Sequence, residues 1–150
     1  MILDQRSTFA EAVAIGASTG RRLIGDVIDL GNARDIGAAN NLYLVVLVST
    51  TATSGGSATA QVELVSDAQA AIAVDGSATV HVASGLVPVA SMTAGHKLFQ
   101  VVIPLEGDTT YERYLGVIIN AGTAAFTAGA VDAFLTMQPP IHKSYPNGAT

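Results

Sequence analysis

The sequence predicts an all-β protein, an antiparallel jelly-roll-like β-sandwich. About six to eight short apolar or alternating segments recur at intervals of roughly 8 to 12 residues. Glycine, asparagine and serine separate these segments, and no long segment has a helical period. The connections are short, whereas parallel strands need crossovers of about a dozen residues or more. The chain of 150 residues is therefore predicted to form one sandwich domain, residues 1–150.

Residues 1–14 are predicted to form an N-terminal arm that contains a helical turn. Ser7 or Thr8 precedes Glu11 in the manner of a capping box, in which side-chain oxygens satisfy the free N–H groups of the first turn. Residues 139–150 are predicted to form a short C-terminal tail, because proline keeps this segment out of a sheet. Both segments could extend the reach of the domain toward a neighbour.

Alternation and β-branched runs predict the strands in the first half of the chain. Residues 23–30 alternate imperfectly and stop at a Gly-Asn turn, as a strand would. Residues 42–48 are a continuous apolar run, which predicts a central strand that is buried on both faces. Residues 50–57 are predicted to form a flexible loop, and residues 58–64 alternate as a strand with one wet face.

The remaining strands are predicted, in chain order, over residues 78–82, 87–91, 99–103, 113–120 and 126–137. Pro88 suits an edge position, because proline donates no hydrogen bond to a neighbouring strand. The last two strands flank residues 121–125, a Gly-containing segment of hairpin length. In the last strand, one face is predicted to carry Val131, Ala133, Leu135 and Met137.

The composition excludes several classes of function. Hydrophobic residues make up 49% and charged residues 13%, roughly half the charged fraction of about 25% in typical soluble domains. This predicts that part of the apolar surface meets another protein. The net charge of -5 and the pI near 4.9 leave no basic field for nucleic acid or an anionic membrane. The absence of cysteine excludes disulfides and thiolate ligands.

The histidines do not predict a metal centre or a catalytic base. His81, His96 and His142 are separated by a strand, a loop and a tail, which is not the spacing of metal ligands. His81 is predicted on the wet face of its strand. No nucleophile elbow, P-loop or HExxH motif occurs.

Two pairs of carboxylates could serve glycoside hydrolysis or calcium binding. Asp26 and Asp29 are an odd number of residues apart, so a regular strand would place them on opposite faces. Glu106 and Asp108 flank a glycine, which is typical of a solvated turn. The sequence therefore predicts no catalytic, cofactor-binding or metal-binding residue, and no enzyme activity.

Several segments together resemble a known family. They are Met1–Asp4, Val27–Gly31, Ala33–Gly37, Leu42–Val46, Tyr111–Leu115 and Phe126–Gly129. With these segments the chain resembles the capsid cement, or decoration, proteins of tailed bacteriophages, particularly the family in Bordetella-type podophages. The similarity spans nearly the whole chain, although the tail after Pro140 has no assigned counterpart.

The resemblance implies a structural virion protein that stabilises a phage capsid. Such a protein is made in the bacterial host cytoplasm, lies on the outer capsid surface and clamps neighbouring major capsid proteins of an HK97-type shell. It would form a homodimer or homotrimer and need no cofactor, nucleic acid or membrane. Capsid or subunit contacts are expected at Met1, Ile2, Leu3, Asp4, Arg6, Phe9, Arg34, Asp35, Glu112, Arg113, His142, Lys143 and Tyr145.

The same sequence leaves a second function open, that of a carbohydrate- or receptor-binding jelly-roll module of a virion. Jelly rolls also serve as lectins, so the fold alone does not separate the two. A lectin would be indicated by exposed aromatics or a carboxylate-lined cation site, and aromatic residues make up only 5% of this chain. A hydrolase is a third alternative.

Overall fold

A computed structural model describes residues 5–37 and 41–139. These residues form two short 3-10 helices, Gln5–Ser7 and Val89–Ser91, and no α-helix. The strands are β1 Thr8–Ala14, β2 Gly20–Leu23, β3 Ile28–Asp29, β4 Tyr43–Ser54, β5 Thr59–Asp67, β6 Thr79–Ala83, β7 Val87–Pro88, β8 Lys97–Val102, β9 Tyr114–Gly122 and β10 Phe126–Thr136. The prediction of an all-β protein is confirmed.

The strands form two antiparallel sheets. The four-stranded sheet has the order β1-β10-β4-β8, and the six-stranded sheet has the order β2-β9-β5-β6, with β3 paired to β9 and β7 paired to β5. The chain passes from one sheet to the other between β1 and β2, β3 and β4, β4 and β5, β7 and β8, β8 and β9, and β9 and β10. This arrangement is that of a jelly-roll-like sandwich, as predicted.

The main core lies between the two sheets. Alternate residues of the central strands point into it, because successive side chains of a strand face opposite ways. The fully buried members include Leu44 and Val46 of β4, Leu64 of β5 and Val117 of β9. No helix or cofactor is needed to fill this space, since the apolar faces of the two sheets pack directly on each other.

A smaller apolar cluster covers the outer face of the six-stranded sheet. Ile72, in the loop of residues 68–78, packs with Val65 and Ile118. Gly116 lies beneath this contact, and a Cβ atom there would lie 2.5 Å from Cδ1 of Ile72. Because the loop folds back over the sheet, β5 is buried on both faces.

The structure corrects the prediction for the N-terminal segment. Residues 8–14 are strand β1, which pairs with β10, and not a helical turn in an arm. The side chain of Phe9 is 1% exposed and belongs to the main core. Pairing with β10 and burial of Phe9 outweigh the local capping pattern around Glu11, since tertiary contacts override helix propensity. Residues 1–4 of the predicted arm lie outside the described residues.

The predicted strand over residues 23–30 is divided into β2 and β3. Gly25 lies between them with a φ of 68°, a conformation that favours glycine. A Cβ atom at Gly25 would overlap the carbonyl oxygen of Phe9, and the same oxygen accepts a hydrogen bond from the backbone N–H of Asp26 at 2.7 Å. The close approach to β1 therefore interrupts the strand.

Two other boundaries differ from the prediction. The loop expected over residues 50–57 is shorter, because β4 continues to Ser54 and remains paired with β10. Met137 does not continue the inward face of β10, since the strand ends at Thr136 and Met137 is 65% exposed. The other predicted strands are found within a few residues of their expected bounds, and Pro88 lies in the short strand β7 beside the start of β5.

Candidate contact surface

Three loops lie at the same end of the sandwich, which we name the loop end. They are residues 30–42, described at 30–37 and 41–42, residues 68–78 and residues 103–113. Strand pairing establishes this placement, since β4 begins at Tyr43 opposite Val102, the last residue of β8. β9 likewise begins where β3 and β5 end. The loops of residues 15–19, 55–58, 84–96 and 123–125 lie at the opposite end, the far end, where segment 84–96 includes the short strand β7 and a 3-10 helix. Residues 24–27 connect β2 to β3 beside β9 and belong to neither end.

Exposed apolar side chains are concentrated at the loop end. Among the described residues, six large apolar side chains are exposed. Val80 lies on β6 and Leu86 at the far end. The other four are Val74 in loop 68–78, Val102 at the end of β8, Leu105 in loop 103–113 and Met137 after β10. Grouped exposed apolar residues are typical of protein contact sites.

Tyr111 fixes the conformation of loop 103–113. Its side chain is 1% exposed, and its hydroxyl donates a hydrogen bond to the carbonyl oxygen of Pro104 at 2.7 Å. Its backbone N–H donates to Oε1 of Glu106 at 2.6 Å. The ring stacks on His81 with 3.8 Å between centroids. Burial raises the pKa of the Tyr111 hydroxyl, which keeps it protonated as a donor.

A buried serine and a histidine support the same loop. The hydroxyl oxygen of Ser66 lies 2.7 Å from Nε2 of His81 and accepts a hydrogen bond from the backbone N–H of Glu112 at 3.0 Å. The hydroxyl of Thr79 donates to Oε1 of Glu112 at 2.8 Å. Ser66 is fully buried, so its hydroxyl faces no substrate space. Ser66 and His81 together hold loop 103–113 in place. His81 is half-buried, whereas the sequence predicts it on the solvent-exposed face of its strand.

An ion pair joins loop 103–113 to the end of β3. Nε and Nη2 of Arg113 each donate a hydrogen bond of 2.8 Å to the two carboxylate oxygens of Asp29. These hydrogen bonds, with one from the backbone N–H of Gly31, lower the pKa of Asp29 to about 2. The Arg113 guanidinium also lies 5.0 Å from the ring centre of Tyr114. The pair is half-exposed, so its main effect is to orient two loops.

The carboxylates of Asp26 and Asp29 line one open groove. The groove has a volume of about 640 Å³ and is lined by Gln5, Arg6, Thr8 and residues 26–29. Asp26 and Asp29 therefore share a surface, contrary to the expectation from strand alternation, because β3 begins only at Ile28. Among the described residues, no group of three or more His, Asp and Glu is placed to hold a metal ion.

The predicted contact residues fall into three groups. Five remain on the surface: Arg34, Asp35, Glu112 and Arg113 lie in loops of the loop end, and Arg6 lines the groove beside residues 26–29. Phe9 is buried in the core and offers no outer surface, which corrects that part of the prediction. The other seven lie outside the described residues: Met1, Ile2, Leu3, Asp4, His142, Lys143 and Tyr145.

Sequence reasoning missed the apolar residues of the loop end. Leu105 stands between a proline and a glutamate in a turn, and an apolar residue in such a polar context could have indicated a contact. The alternation of β10 extends in sequence to Met137, which predicts the core face for its side chain. Its exposure depends on where the strand ends, which is set by the partner β4.

The stability of the protein is expected to fall in mild acid because of His81. Burial lowers the pKa of His81 below its usual 6.5, although Glu106 and Glu112 oppose this effect. Below pH 6.5 the unfolded chain binds more protons than the folded chain, so the free energy of unfolding decreases until the pH reaches the folded pKa. Above pH 6.5 this contribution is fully present.

Urea denaturation at pH 7.5 and pH 5.5 measures this effect. His81→Gln is expected to reduce the loss of stability between the two pH values. His96→Gln serves as the control, because His96 is exposed at the far end and should leave the wild-type pH dependence in place. An identical pH dependence in His81→Gln and the wild type would contradict the prediction.

The fold and the loop end define a class, an antiparallel jelly-roll domain with most of its exposed large apolar side chains, among the described residues, at one end. The chain belongs to the Bbp16 family, whose model matches residues 9–135. The family name suggests a Bordetella phage protein. A search of curated proteins found no match. In the part of the chain that the structure describes, no helix is long and apolar enough to cross a membrane.

Proposed function

We propose that this protein is a structural virion protein that binds the outside of a phage capsid and stabilises it. In this proposal it clamps neighbouring major capsid proteins of an HK97-type shell. The observation that carries the proposal is the grouping of Val74, Val102, Leu105 and Met137 at the loop end. The family name suggests a phage protein, which also supports a role in a virion.

The loop end suits tight contact with a protein because loop 103–113 is held by hydrogen bonds within the domain. These bonds involve Tyr111, Ser66 and the Arg113–Asp29 pair. A preorganised surface loses less conformational entropy on binding than a mobile one. Apolar side chains surrounded by polar groups are also the usual composition of a protein interface.

Many copies would act together on a symmetric shell. Each copy contributes a modest contact area, and linked contacts add through multivalency. We propose a homodimer or homotrimer with closed symmetry, which would match twofold or threefold positions of a capsid. The protein would be made in the host cytoplasm and would act on the outer capsid surface without catalysis or cofactor.

Cosedimentation with capsids tests the proposed function. Purified protein is mixed with expanded, undecorated capsids of the phage, and the bound protein per capsid is measured. Saturable, stoichiometric binding and a raised capsid melting temperature are expected, because a ligand specific to the assembled shell stabilises it. Binding to a glycan array with no binding to capsids would overturn the proposal in favour of a carbohydrate-binding module.

A further inference from the structure

The ionised side chains of the loops are concentrated at the loop end. Its described loop residues carry five carboxylates against two guanidinium groups, those of Arg34 and Arg113. The five acidic residues are Asp35, Asp75, Glu106, Asp108 and Glu112. The four loops of the far end, all of them described, contain no Asp, Glu, Lys or Arg. The loops of the domain are therefore electrically asymmetric, since those of the loop end are acidic and those of the far end are uncharged.

None of the ion pairs seen among the described residues includes these five carboxylates, although the charge of Arg21 acts on Asp75 and favours its ionised form. The ion pairs join Arg21 to Glu63 and Arg113 to Asp29. Arg113 is thereby already occupied by a carboxylate outside the five. The loop end consequently keeps a net negative charge that an external cation can neutralise.

Hydrogen bonds from N–H and O–H groups orient four of the five carboxylates. Asp35 accepts from the backbone N–H of Gly37, and Asp75 accepts from the N–H and hydroxyl of Ser77. Glu106 and Glu112 accept from Tyr111 and Thr79, respectively. These donors hold the carboxylates in place without removing their charge. The negative field of the loop end is therefore fixed to the fold.

Carboxylates and exposed apolar side chains alternate on this surface. Val74 directly precedes Asp75, and Leu105 directly precedes Glu106. Each of these two loops thus presents an apolar side chain that is 42% or 66% exposed beside an acidic group. A surface that combines exposed apolar and charged side chains has the composition of a protein interface, and the sign of its charge sets the charge expected of the partner.

We infer that the loop end is the surface that docks onto the partner, and that the partner presents an apolar recess bordered by lysine and arginine side chains. This inference rests on the proposed function, in which the partner is the major capsid protein. Opposite charges attract the two surfaces before contact, and salt screens that attraction over a Debye length of about 10 Å at about 0.1 M. The uncharged far end is left facing away from the capsid.

The association rate with immobilised, undecorated capsids tests the inference. The wild type is expected to associate about tenfold more slowly in about 500 mM than in about 50 mM NaCl. The double variant Glu106→Gln and Asp108→Asn should associate several-fold more slowly than the wild type at the lower salt concentration, with a flatter salt dependence. Both substitutions keep a side-chain oxygen as an acceptor, so the amide that replaces the Glu106 carboxylate can still accept the hydrogen bond from Tyr111.

A matched control removes two charges elsewhere. Glu11 on β1 and Asp132 on β10 belong to the four-stranded sheet and not to the three loops. The double variant Glu11→Gln and Asp132→Asn should retain the wild-type rate and salt dependence. Capsid binding with equal effects of the two double variants, or without salt dependence, would overturn the inference and leave the proposed function standing. No capsid binding by the wild type at either salt concentration would overturn both.

Discussion

Replacement of Tyr111 by alanine is expected to lower the free energy of unfolding by about 3–5 kcal/mol, the range for truncating a large buried aromatic side chain. The residue is 1% exposed, and its ring contacts the main core and stacks on His81. Its loss leaves a cavity and releases the carbonyl oxygen of Pro104 from its hydrogen bond. Urea denaturation, followed by circular dichroism at pH 7.5, measures the change.

Tyr111→Phe separates the hydrogen bond from the packing. It keeps the ring and removes only the hydroxyl that donates to the carbonyl oxygen of Pro104, so a loss of about 0.5–1.5 kcal/mol is expected for this partly buried hydrogen bond. Tyr114→Phe is the control, because Tyr114 is only half-buried on β9 and should change stability little. If Tyr111→Phe were as stable as the wild type, the hydrogen bond to Pro104 would contribute nothing measurable to the free energy of unfolding.

The role of Tyr111 illustrates what the sequence could not reveal. In the sequence it stands just before the predicted strand 113–120, beside Glu112 and Arg113, which are expected as contact residues. Its partners are Pro104 and Glu106 in the opposite part of the same loop and His81 on β6, which in turn contacts Ser66 on β5. Such contacts depend on which strands become neighbours, and local pattern does not specify that order.

The strands that could be predicted are those whose buried side chains form a recognisable local pattern in the sequence. Strand β9 and the start of β4 are long apolar runs between polar turns, so their type and approximate bounds follow from residue pattern. Strand β1 could not be predicted, because only two of its seven residues, Phe9 and Ala10, are buried. The sequence around Glu11 also resembles the capping pattern of a helix. The strand conformation of β1 is determined by pairing with β10, a partner more than 100 residues away.

The charge pattern of the loop end is visible in the sequence only as separate turns. Asp35, Asp75 and Glu106 lie in three different connections, and each is typical of a solvated turn when considered alone. The jelly-roll topology places these connections at one end. The three acidic residues therefore lie at the same end because of the order of the strands in the sheets, and the local sequence pattern does not indicate that order. For the same reason the predicted contacts at this end include charged residues but not the apolar residues between them.

Replacement of Leu105 by asparagine is expected to weaken capsid binding by about 30-fold or more, which corresponds to a hot-spot loss of about 2 kcal/mol. Leu105 is 66% exposed at the loop end, so the isolated protein should keep its stability while the apolar centre of the contact is lost. Asparagine is uncharged, so the effect on binding is independent of the acidic rim. Cosedimentation with capsids over a range of protein concentrations measures the affinity.

Leu86→Asn provides a closely matched control for this substitution. Leu86 has the same exposed fraction, 66%, but lies in the far-end segment 84–96. Both variants remove one exposed leucine and add one amide, so a nonspecific effect of surface polarity would change both affinities equally. If the loop end docks onto the capsid, Leu86→Asn binds like the wild type and only Leu105→Asn is weakened. The reverse result would show that the uncharged far end faces the capsid and that the acidic loops point outward.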